Sequence, residues 1–430
     1  MAHYACLCPE VPGHLNPTLA IGWQLRERGH KVTFVGVRDA QRAVNAAGLE
    51  YHPLGETAFP TGTIPQLASR LGRLEGFAAV RCTLNHAQDF SSVILQELPA
   101  ILKRLQVDGL IIDQLRHADI AVAQSMQIPF VTICNALTFH REPNVPPPAF
   151  HWNYRSDWLG RIRNQMGWRG IDFLSRPALK LINQHRRQWK QPPCRSLTQL
   201  DSPLAQLCQL PESFDFPRQA LAPWFHYVGS WTQEQSRASV PFPYERLNDQ
   251  PLIYASMGTL QNRLFGTFRN LIEACQGLDA QLVVSLGSSD PSTLPDLPPG
   301  PIIVPHAPQL QLLKRAAMTI THAGMNTTSE SLAQGVPMVA LPVTNDQPGV
   351  AARIEHSGVG KMMIPRKRQV SDLRRAFSDV LSNPKYRQRA AQIQEDILTN
   401  GGASRAAEIV ERALSTNQPV IREGQTNLGS

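Results

Sequence analysis

A short segment in the C-terminal half combines residue types that bind phosphate with residue types that bind sugar hydroxyls. It leaves an apolar run at Thr321 and then carries, in order, His322, Gly324, Asn326, Thr327 and Glu330. A glycine lets a ligand approach the backbone closely, and the free N–H groups and dipole at the start of a helix attract an anion. The segment therefore predicts a diphosphate site with His322 beside it.

Glu330 extends this interpretation to a nucleoside. It lies four residues after Asn326, so both side chains share one face of the predicted helix. A carboxylate there can accept hydrogen bonds from ribose hydroxyls while phosphates occupy the helix start. The alternative is an ordinary helix in which Thr327 and Glu330 form a capping box. Taken alone, the segment leaves both interpretations open.

Two residues of the N-terminal half have the chemistry of a general base and its partner. His14 follows the first predicted strand, and Asp113 ends a later one. Histidine has a pKa near neutrality, and a carboxylate bonded to its ring selects the tautomer and stabilises the imidazolium. The alternatives are a loop histidine and a helix-capping aspartate. By themselves the two residues favour these alternatives.

The elements around these residues predict two doubly wound parallel sheets covered by helices, an α/β architecture. Short apolar runs in the first half fall at 4–8, 31–37, 109–112 and 129–133. A helix joins the first two, with Asn16 as its N-cap, Pro17 as its first residue and Gly29 at its end. Strands of the second half are expected at 252–256, 281–286, 301–304, 318–321 and 336–341.

With 430 residues the chain has the length of two domains with a cleft between them. Residues after the carboxyl ends of parallel strands meet at the ligand-binding edge, so the residues above are expected to face that cleft. We place the parts at 1–235 (N-terminal domain), 236–250 (linker), 251–400 (C-terminal domain), 401–415 (a helix able to pack back on the N-terminal domain) and 416–430 (flexible tail).

Residues before and after the diphosphate segment extend it into a longer sequence pattern. His306-Ala307-Pro308-Gln309 stands upstream, and Gly335-Val336-Pro337 and then Asp346-Gln347 follow. This order resembles the donor box of the UDP-dependent glycosyltransferase superfamily, which reads W-x-P-Q, H-x-G-x-N-[ST]-x-x-E, G-V-P and D-Q. Gly13-His14-Leu15-Asn16-Pro17 resembles the G-H-x-N-P of that family, and Ser256-Met257-Gly258-Thr259 its S-x-G-[ST]. The resemblance covers nearly the whole chain.

The resemblance implies a GT-B fold, in which two Rossmann-like domains face a cleft, with the acceptor on the N-terminal domain and the sugar donor on the C-terminal one. It assigns His14 as general base and Asp113 as its partner. The implied donor-binding residues are Thr259, His322, Gly324, Asn326 and Thr327 for the diphosphate, Gln309 and Glu330 for the ribose, Asp346 and Gln347 for the sugar hydroxyls, and His306 for the base. Because His306 replaces the stacking tryptophan of the family, the choice between uracil and thymine stays open.

The implied reaction is transfer from a UDP-sugar with inversion at the anomeric carbon. The helix dipole and His322 can stabilise the leaving diphosphate, so no metal is expected, and no cofactor either, since the UDP-sugar is a substrate. Motifs typical of dehydrogenases, P-loop NTPases, metalloproteases and α/β-hydrolases are absent from the sequence. A UDP-sugar epimerase and a non-catalytic sugar-nucleotide-binding partner remain alternatives.

The acceptor is less constrained. The runs 254–261 and 346–354 resemble bacterial carotenoid glucosyltransferases, which favours a carotenoid such as zeaxanthin over a macrolide, sterol or flavonoid-like acceptor. Residues 151–195 hold ten Lys and Arg against two Asp, with Trp152, Trp158, Trp168 and Trp189. This composition predicts contact with a membrane surface, the alternative being an ordinary solvated helical subdomain.

The remaining composition excludes several classes of partner and site. No nucleic-acid recognition motif accompanies the positive charge. The seven cysteines form no C-x-x-C pair and are expected to be reduced thiols. Without an apolar run of membrane length or a leader pattern, we expect a cytoplasmic protein, able to lie at the inner face of a membrane.

Overall fold

The computed structural model describes residues 1–72, 74, 76–237, 239–258, 265–287 and 299–422. Within these ranges the chain forms two parallel sheets, one in each half, as predicted. The N-terminal sheet has seven strands and the C-terminal sheet has six. The N-terminal strands are β1 (His3–Leu7), β2 (Lys31–Gly36), β3 (Glu50–Pro53), β4 (Gly109–Asp113), β5 (Phe130–Cys134), β6 (Gln206–Cys208) and β7 (Phe225–Tyr227). They lie in the sheet in the order β3-β2-β1-β4-β5-β6-β7.

Helices on both faces bury the apolar runs of the N-terminal sheet. They are α1 (Pro12–Glu27), α2 (Gln41–Ala46), α3 (Thr63–Leu71), α4 (Gly76–Leu105), α5 (His117–Met126) and α6 (Trp158–Gln188). Chain order reverses between β1 and β4, which are direct neighbours. Their carboxyl ends therefore form the switch point at which ligands bind in doubly wound sheets.

The C-terminal sheet repeats this plan. Its strands are β8 (Leu252–Ser256), β9 (Gln281–Ser285), β10 (Ile302–Val304), β11 (Ala316–Thr321), β12 (Met338–Ala340) and β13 (Gly360–Met362). They lie in the order β10-β9-β8-β11-β12-β13, with the reversal between β8 and β11. The helices of this half are α7 (Phe265–Cys275), α8 (Gln309–Leu313), α9 (Met325–Ala333), α10 (Gln347–His356), α11 (Val370–Ser382) and α12 (Pro384–Thr399).

The last helix, α13 (Gly402–Thr416), lies on the N-terminal sheet. Ala406 and Val410 pack with Leu19 of α1 and Ile111 of β4 in one core. The chain continues along this domain, because the buried Val420 donates its N–H to Leu204 O and Arg422 donates to Pro223 O. Residues 417–422, the first part of the predicted flexible tail, therefore lie on the N-terminal domain through apolar burial and backbone pairing.

The predicted start of the first helix is wrong. Helix α1 begins at Pro12, not after an Asn16 cap, because Val11 is extended and Pro12 already supplies the preset φ of a first helical residue. His14 therefore lies in the first helical turn, and Pro17 lies inside the helix. Most of the basic stretch 151–195 forms one continuous helix, α6, and Asp157 caps it by accepting from Gly160 N at 2.8 Å.

The four tryptophans of the basic stretch do not share one environment. Trp168 is buried and lies against Phe139, Trp152 stacks on Phe150, and Trp189 packs on the domain core. Trp158 alone of the four is exposed. In the described part of the chain, no helix is long and apolar enough to cross a bilayer.

Candidate active site

The carboxyl ends of β1 and β4 bring His14 and Asp113 into contact. His14 Nδ1 lies 2.8 Å from Asp113 Oδ2, and the aspartate is completely buried. His14 projects from the first turn of α1, directly after β1, whereas Asp113 is the last residue of β4. Because the two strands are adjacent and parallel, residues that follow them meet at one edge.

Further hydrogen bonds hold the Asp113 carboxylate. Oδ1 accepts from Leu115 N at 2.8 Å, and Oδ2 accepts from Asn135 Nδ2 at 2.7 Å. Helix α5 starts after Arg116 and has no side-chain cap, so the helix-capping alternative for Asp113 does not apply. A buried carboxylate with one imidazole and two N–H partners is held in a single orientation.

Opposing influences act on the pKa of the His14 imidazole. Burial lowers this pKa, but the charge and hydrogen bond of Asp113 and the charge of Asp346 raise it by more, so the net direction is upward. Asp346 belongs to the other domain, which means that its carboxylate lies within electrostatic reach of His14 across the cleft. The site thus places two carboxylates around one imidazole.

Helix α9 starts at the predicted phosphate segment. Gly324 is its N-cap with no side-chain bond, Thr327 lies in the first turn, and Glu330 faces other partners, so the capping-box alternative does not apply. The His322 ring packs against Gly324 and Gly258, where a Cβ would collide with Nε2. Burial lowers the pKa of His322 to about 4, which leaves a neutral ring, and its Nδ1 is buried without a hydrogen-bond partner.

Gln309 and Glu330, the predicted ribose ligands, are in contact. Gln309 Nε2 donates to Glu330 Oε2 at 2.6 Å, and Gln309 Oε1 accepts from Tyr254 Oη at 3.0 Å and, at 3.4 Å, from Thr327 Oγ1. Arg237, from the segment between the sheets, donates to Glu330 Oε1 at 2.5 Å and to Oε2 at 3.3 Å. The Glu330 carboxylate therefore accepts three hydrogen bonds from Gln309 and Arg237, on an acceptor group with about four lone-pair sites.

Asp346 and Gln347 lie at the start of α10. Asp346 occupies the N-cap position without capping, and its Oδ2 accepts from Leu137 N of the other domain at 3.1 Å. Burial raises the pKa of Asp346, while Leu137 N–H and His14 oppose that rise. Gln347 Oε1 accepts from Val343 N and Thr344 N at 2.8 and 3.0 Å, which secures the loop before the helix.

The remaining predicted donor-binding residues are Asn326, His306 and Thr259. Asn326 bridges the domains, because its Nδ2 donates to Pro12 O at 3.4 Å and its Oδ1 accepts from Gln209 Nε2 at 3.3 Å. His306 is exposed after β10. Thr259 lies outside the described residues.

Residues 78–396 match the model of the UDP-glucoronosyl and UDP-glucosyl transferase family. The chain belongs to this family. The zeaxanthin glucosyltransferase of Pantoea ananas is 32% identical over 424 residues and covers 98% of both chains. The zeaxanthin glucosyltransferase of Pseudescherichia vulneris is 32% identical over 425 residues, or 98% of this chain and 100% of its own.

A solved structure agrees with the fold. The glycotransferase of kitacinnamycin superposes with a TM-score of 0.72 at 22% identity, over 96% of this chain and 98% of its own. The two doubly wound domains are therefore those of a GT-B glycosyltransferase, as the donor-box pattern implies.

Two residues of this glycosyltransferase site escaped the sequence interpretation. Asn135 supports Asp113, and its position directly after β5 is the same signal that pointed to Asp113 at the end of β4. Arg237 has no such signal, because it stands in an irregular segment and pairs with a residue 93 positions away.

Proposed function

We propose that the chain transfers a sugar, glucose in the first instance, from a UDP-sugar to a hydroxyl of an apolar acceptor, a carotenoid such as zeaxanthin. Family membership supports sugar transfer. The two relatives that match over almost their whole length are named for glucosyl transfer to zeaxanthin. Macrolides, sterols and flavonoid-like molecules are the alternative acceptors, and the rate of transfer to them is to be compared with the rate for zeaxanthin.

The His14–Asp113 contact is the observation that carries the proposal. With Nδ1 bound to the carboxylate at 2.8 Å, Nε2 is the ring nitrogen left to take a proton. Nε2 removes the proton of the acceptor hydroxyl while that oxygen attacks the anomeric carbon and the bond to UDP breaks. Asp113 stabilises the imidazolium, UDP leaves with the bonding electrons, and single displacement inverts the anomeric centre.

The donor side is proposed to bind the nucleotide through α9 and its surroundings. His322, Asn326 and Thr327 would hold the diphosphate at the helix N-terminus, and the buried, unpaired Nδ1 of His322 fits a ligand with hydrogen-bonding groups. Gln309 and Glu330 would hold the ribose. Thr259 is proposed as a further phosphate contact and His306 as the residue that stacks on the base.

Asp346 and Gln347 are proposed to bind hydroxyls of the transferred sugar. The electrostatic coupling of Asp346 to His14 supports this role, because the sugar must lie between its own ligands and the base. The helix dipole and His322 would disperse the charge of the leaving diphosphate. We therefore propose a reaction that needs neither metal nor cofactor, and we expect activity to survive exhaustive treatment with a chelator.

The test is His14→Ala with zeaxanthin and UDP-glucose. Loss of a general base lowers kcat/KM by about 100-fold to 10,000-fold. His52→Ala, which removes a partly buried histidine bonded to Pro53 O in the same domain, is the matched control and should retain activity. Mass spectrometry of the product and NMR of its anomeric proton report the acceptor and the inversion. Transfer within a few-fold of wild type in His14→Ala would contradict the assigned base.

The donor incubated alone separates transfer from isomerisation. A transferase leaves UDP-glucose unchanged apart from slow hydrolysis, whereas an epimerase converts it into another UDP-sugar. Formation of an epimer in the absence of acceptor would replace the proposed function. Failure of both transfer and epimerisation, with UDP-glucose still bound, would favour a non-catalytic binding partner.

A further inference from the structure

One side of α6 exposes a continuous stripe of large apolar side chains. Trp158, Ile162 and Met166 are spaced by four residues, and Leu159, Met166 and Phe173 by seven, so all five lie on one side of the helix. Trp158 is 68%, Met166 65% and Phe173 62% exposed. Single exposed apolar residues need no explanation, but a contiguous stripe marks an interaction surface.

Cations border and extend this stripe. Helix α6 contains six arginines and one lysine against a single acidic residue, Asp172. Arg169 and Arg176 project on the apolar side, and the guanidinium of Arg176 lies 5.2 Å from the centre of the Phe173 ring. Further along the same side, Arg176, Lys180 and Arg187 line a shallow depression. The exposed side thus passes from apolar to cationic along the helix.

The opposite side of α6 anchors it to the domain and to the segment that reaches the cleft. Ile182 is buried in the core beneath α4 and α5. Trp168 lies against Phe139 at 6.5 Å between ring centres. Two residues before Phe139, Leu137 donates its N–H to the Asp346 carboxylate. The helix that carries the stripe is therefore packed on the chain segment that contacts Asp346, a residue proposed to bind the sugar.

We propose that this side of α6 docks on an anionic lipid bilayer. Its apolar side chains would enter the boundary between headgroups and acyl chains, while the arginines and Lys180 bind headgroup phosphates. Docking would let an apolar acceptor dissolved in the bilayer enter the cleft from this side. Only this purpose rests on the proposed function; the binding of α6 to lipid does not.

The charge pattern favours lipid over a second copy of the chain. A symmetric contact would bring the same stripe and the same cations face to face, and like charges in an interface are unfavourable. An anionic membrane surface supplies both the opposite charge and the apolar layer that the stripe requires. The stripe also lies on a convex helix rather than in a groove shaped for a single ligand.

The test measures binding to vesicles by flotation, without any assay of activity. Vesicles contain either phosphatidylcholine alone or equal parts of phosphatidylcholine and phosphatidylglycerol. We expect strong binding to the anionic vesicles only, weakened by salt. The triple variant Arg169→Gln/Arg176→Gln/Lys180→Gln should lower the partition coefficient about 100-fold, because each cation near such a surface contributes about fivefold.

Matched variants separate this surface from general charge and general apolarity. Lys103→Gln/Arg104→Gln/Lys385→Gln removes the same charge from exposed positions elsewhere and should keep most of the binding. Ile162→Ser/Met166→Ser/Phe173→Ser should lower binding at least about tenfold, whereas Leu398→Ser, at a residue 71% exposed on α12, should not. The substituted side chains on α6 are exposed, so the variants should fold and still glycosylate a water-soluble acceptor.

Two results would overturn the proposal. One is binding to anionic vesicles that the α6 variants leave unchanged. The other is a concentration-dependent dimer in sedimentation velocity that the apolar triple variant abolishes, which would assign the stripe to a contact between copies. If vesicle binding follows the variants but no sugar transfer occurs in any condition, the proposed function fails while the docking surface stands.

Discussion

The carboxylates around the His14 imidazole set the pH range in which it can act as a base. A base must be neutral to accept a proton, so activity falls when the pH drops below its pKa. Asp113 and Asp346 hold the pKa of His14 above its usual value despite burial. The acid limb of the profile of kcat/KM against pH is therefore expected at a higher pH than an unperturbed histidine would give.

Asp113→Asn tests that control. The variant removes the main contribution that raises the pKa of His14 and leaves burial, which lowers it, so the acid limb should move to lower pH. The plateau should also fall at least about tenfold, because the imidazolium loses its counter-charge. Asp346→Asn should shift the limb in the same direction by less. An acid limb that stays in place in Asp113→Asn would show that another group sets it.

Asn135 is predicted to act as a positioning residue for the dyad. Its amide donates to Asp113 Oδ2 at 2.7 Å, to Thr18 Oγ1 at 2.9 Å and to the His14 carbonyl at 3.2 Å. Asn135→Ala should lower kcat about tenfold with little change in KM, because a hydrogen bond to a charged group contributes about 1.5–3 kcal/mol.

The matched control for Asn135 is Asn183→Ala. Asn183 is partly buried and exchanges two hydrogen bonds with the Cys194 backbone, remote from the dyad. The Asn183→Ala variant should lose about as much thermal stability as Asn135→Ala while keeping the kcat of the wild type. Equal losses of kcat in both variants would reduce Asn135 to a general structural role.

The turn from β11 into α9 is built around the imidazole of His322. Both glycines beside the His322 ring lie too close to accept a Cβ, and Gly258 also has a φ of +79°. Gly324→Ala should displace the ring and raise KM for the UDP-sugar about tenfold, with a loss of about 1–3 kcal/mol in stability from overpacking.

Two further variants isolate this effect. Gly266→Ala in α7, where a Cβ meets nothing within 4 Å, should leave KM unchanged and should not lower stability. In Gly324→Ala/His322→Ala the collision is absent, so stability should recover while donor affinity does not. Recovery of donor affinity in the double variant would mean that His322 takes no part in binding.

The strands and helices show which contacts of the candidate site follow from the sequence and which do not. The apolar runs and the rule that parallel strands expose their carboxyl ends at one edge predict that His14 and Asp113 lie at the same edge of the sheet. The pairing itself was implied by the family resemblance, because the two residues alone favour a loop histidine and a helix-capping aspartate. Neither the apolar runs nor this rule could predict the ion pairs Arg237–Glu330 and Arg353–Asp215. Such pairs join irregular segments to distant helices and follow no sequence period. The start of α1 was missed because Pro12 and Pro17 offer the same local signal, and only packing selects between them.

The two domains of the molecule pack against each other along the cleft. Leu137 and Leu210 of the N-terminal domain share an apolar cluster with Met325 and Val350 of the C-terminal domain. Gly349 N donates to Pro148 O at 2.9 Å, and no Cβ fits at this glycine. Asp346, which is proposed to bind the sugar, and His14, the proposed base, therefore belong to different domains that are in direct contact.

A buried ion pair contributes to this contact between the domains. Arg353 of α10 donates from Nε to Asp215 Oδ1 at 2.6 Å, and its guanidinium lies 4.3 Å from the centre of the Phe216 ring. Asp215 also accepts from Arg218 Nε at 2.6 Å and from Tyr227 Oη at 2.7 Å. Burial raises the pKa of the Asp215 carboxyl, but the two arginines more than offset it and hold that pKa below its usual value.

Arg353→Leu should lower the free energy of unfolding by about 3 kcal/mol, the lower end for a broken buried pair, because Arg218 still neutralises Asp215. Since the pKa of Asp215 is lowered in the folded state, its contribution is fully present above the unfolded carboxyl pKa and is lost only as the pH falls through the folded value. Denaturant titrations should therefore give a constant difference between wild type and variant from about pH 8 to about pH 5.

Small-angle scattering should show a larger radius of gyration for Arg353→Leu without substrate, because the domains part more easily. Arg375→Leu breaks an exposed pair with Asp372, at a side chain 77% exposed, and should change stability by less than about 1 kcal/mol with no change in scattering. A stability difference that disappears between pH 8 and pH 6 would be incompatible with a lowered pKa of Asp215. In that case the apolar cluster and the Gly349–Pro148 contact, rather than the ion pair, would hold the domains together.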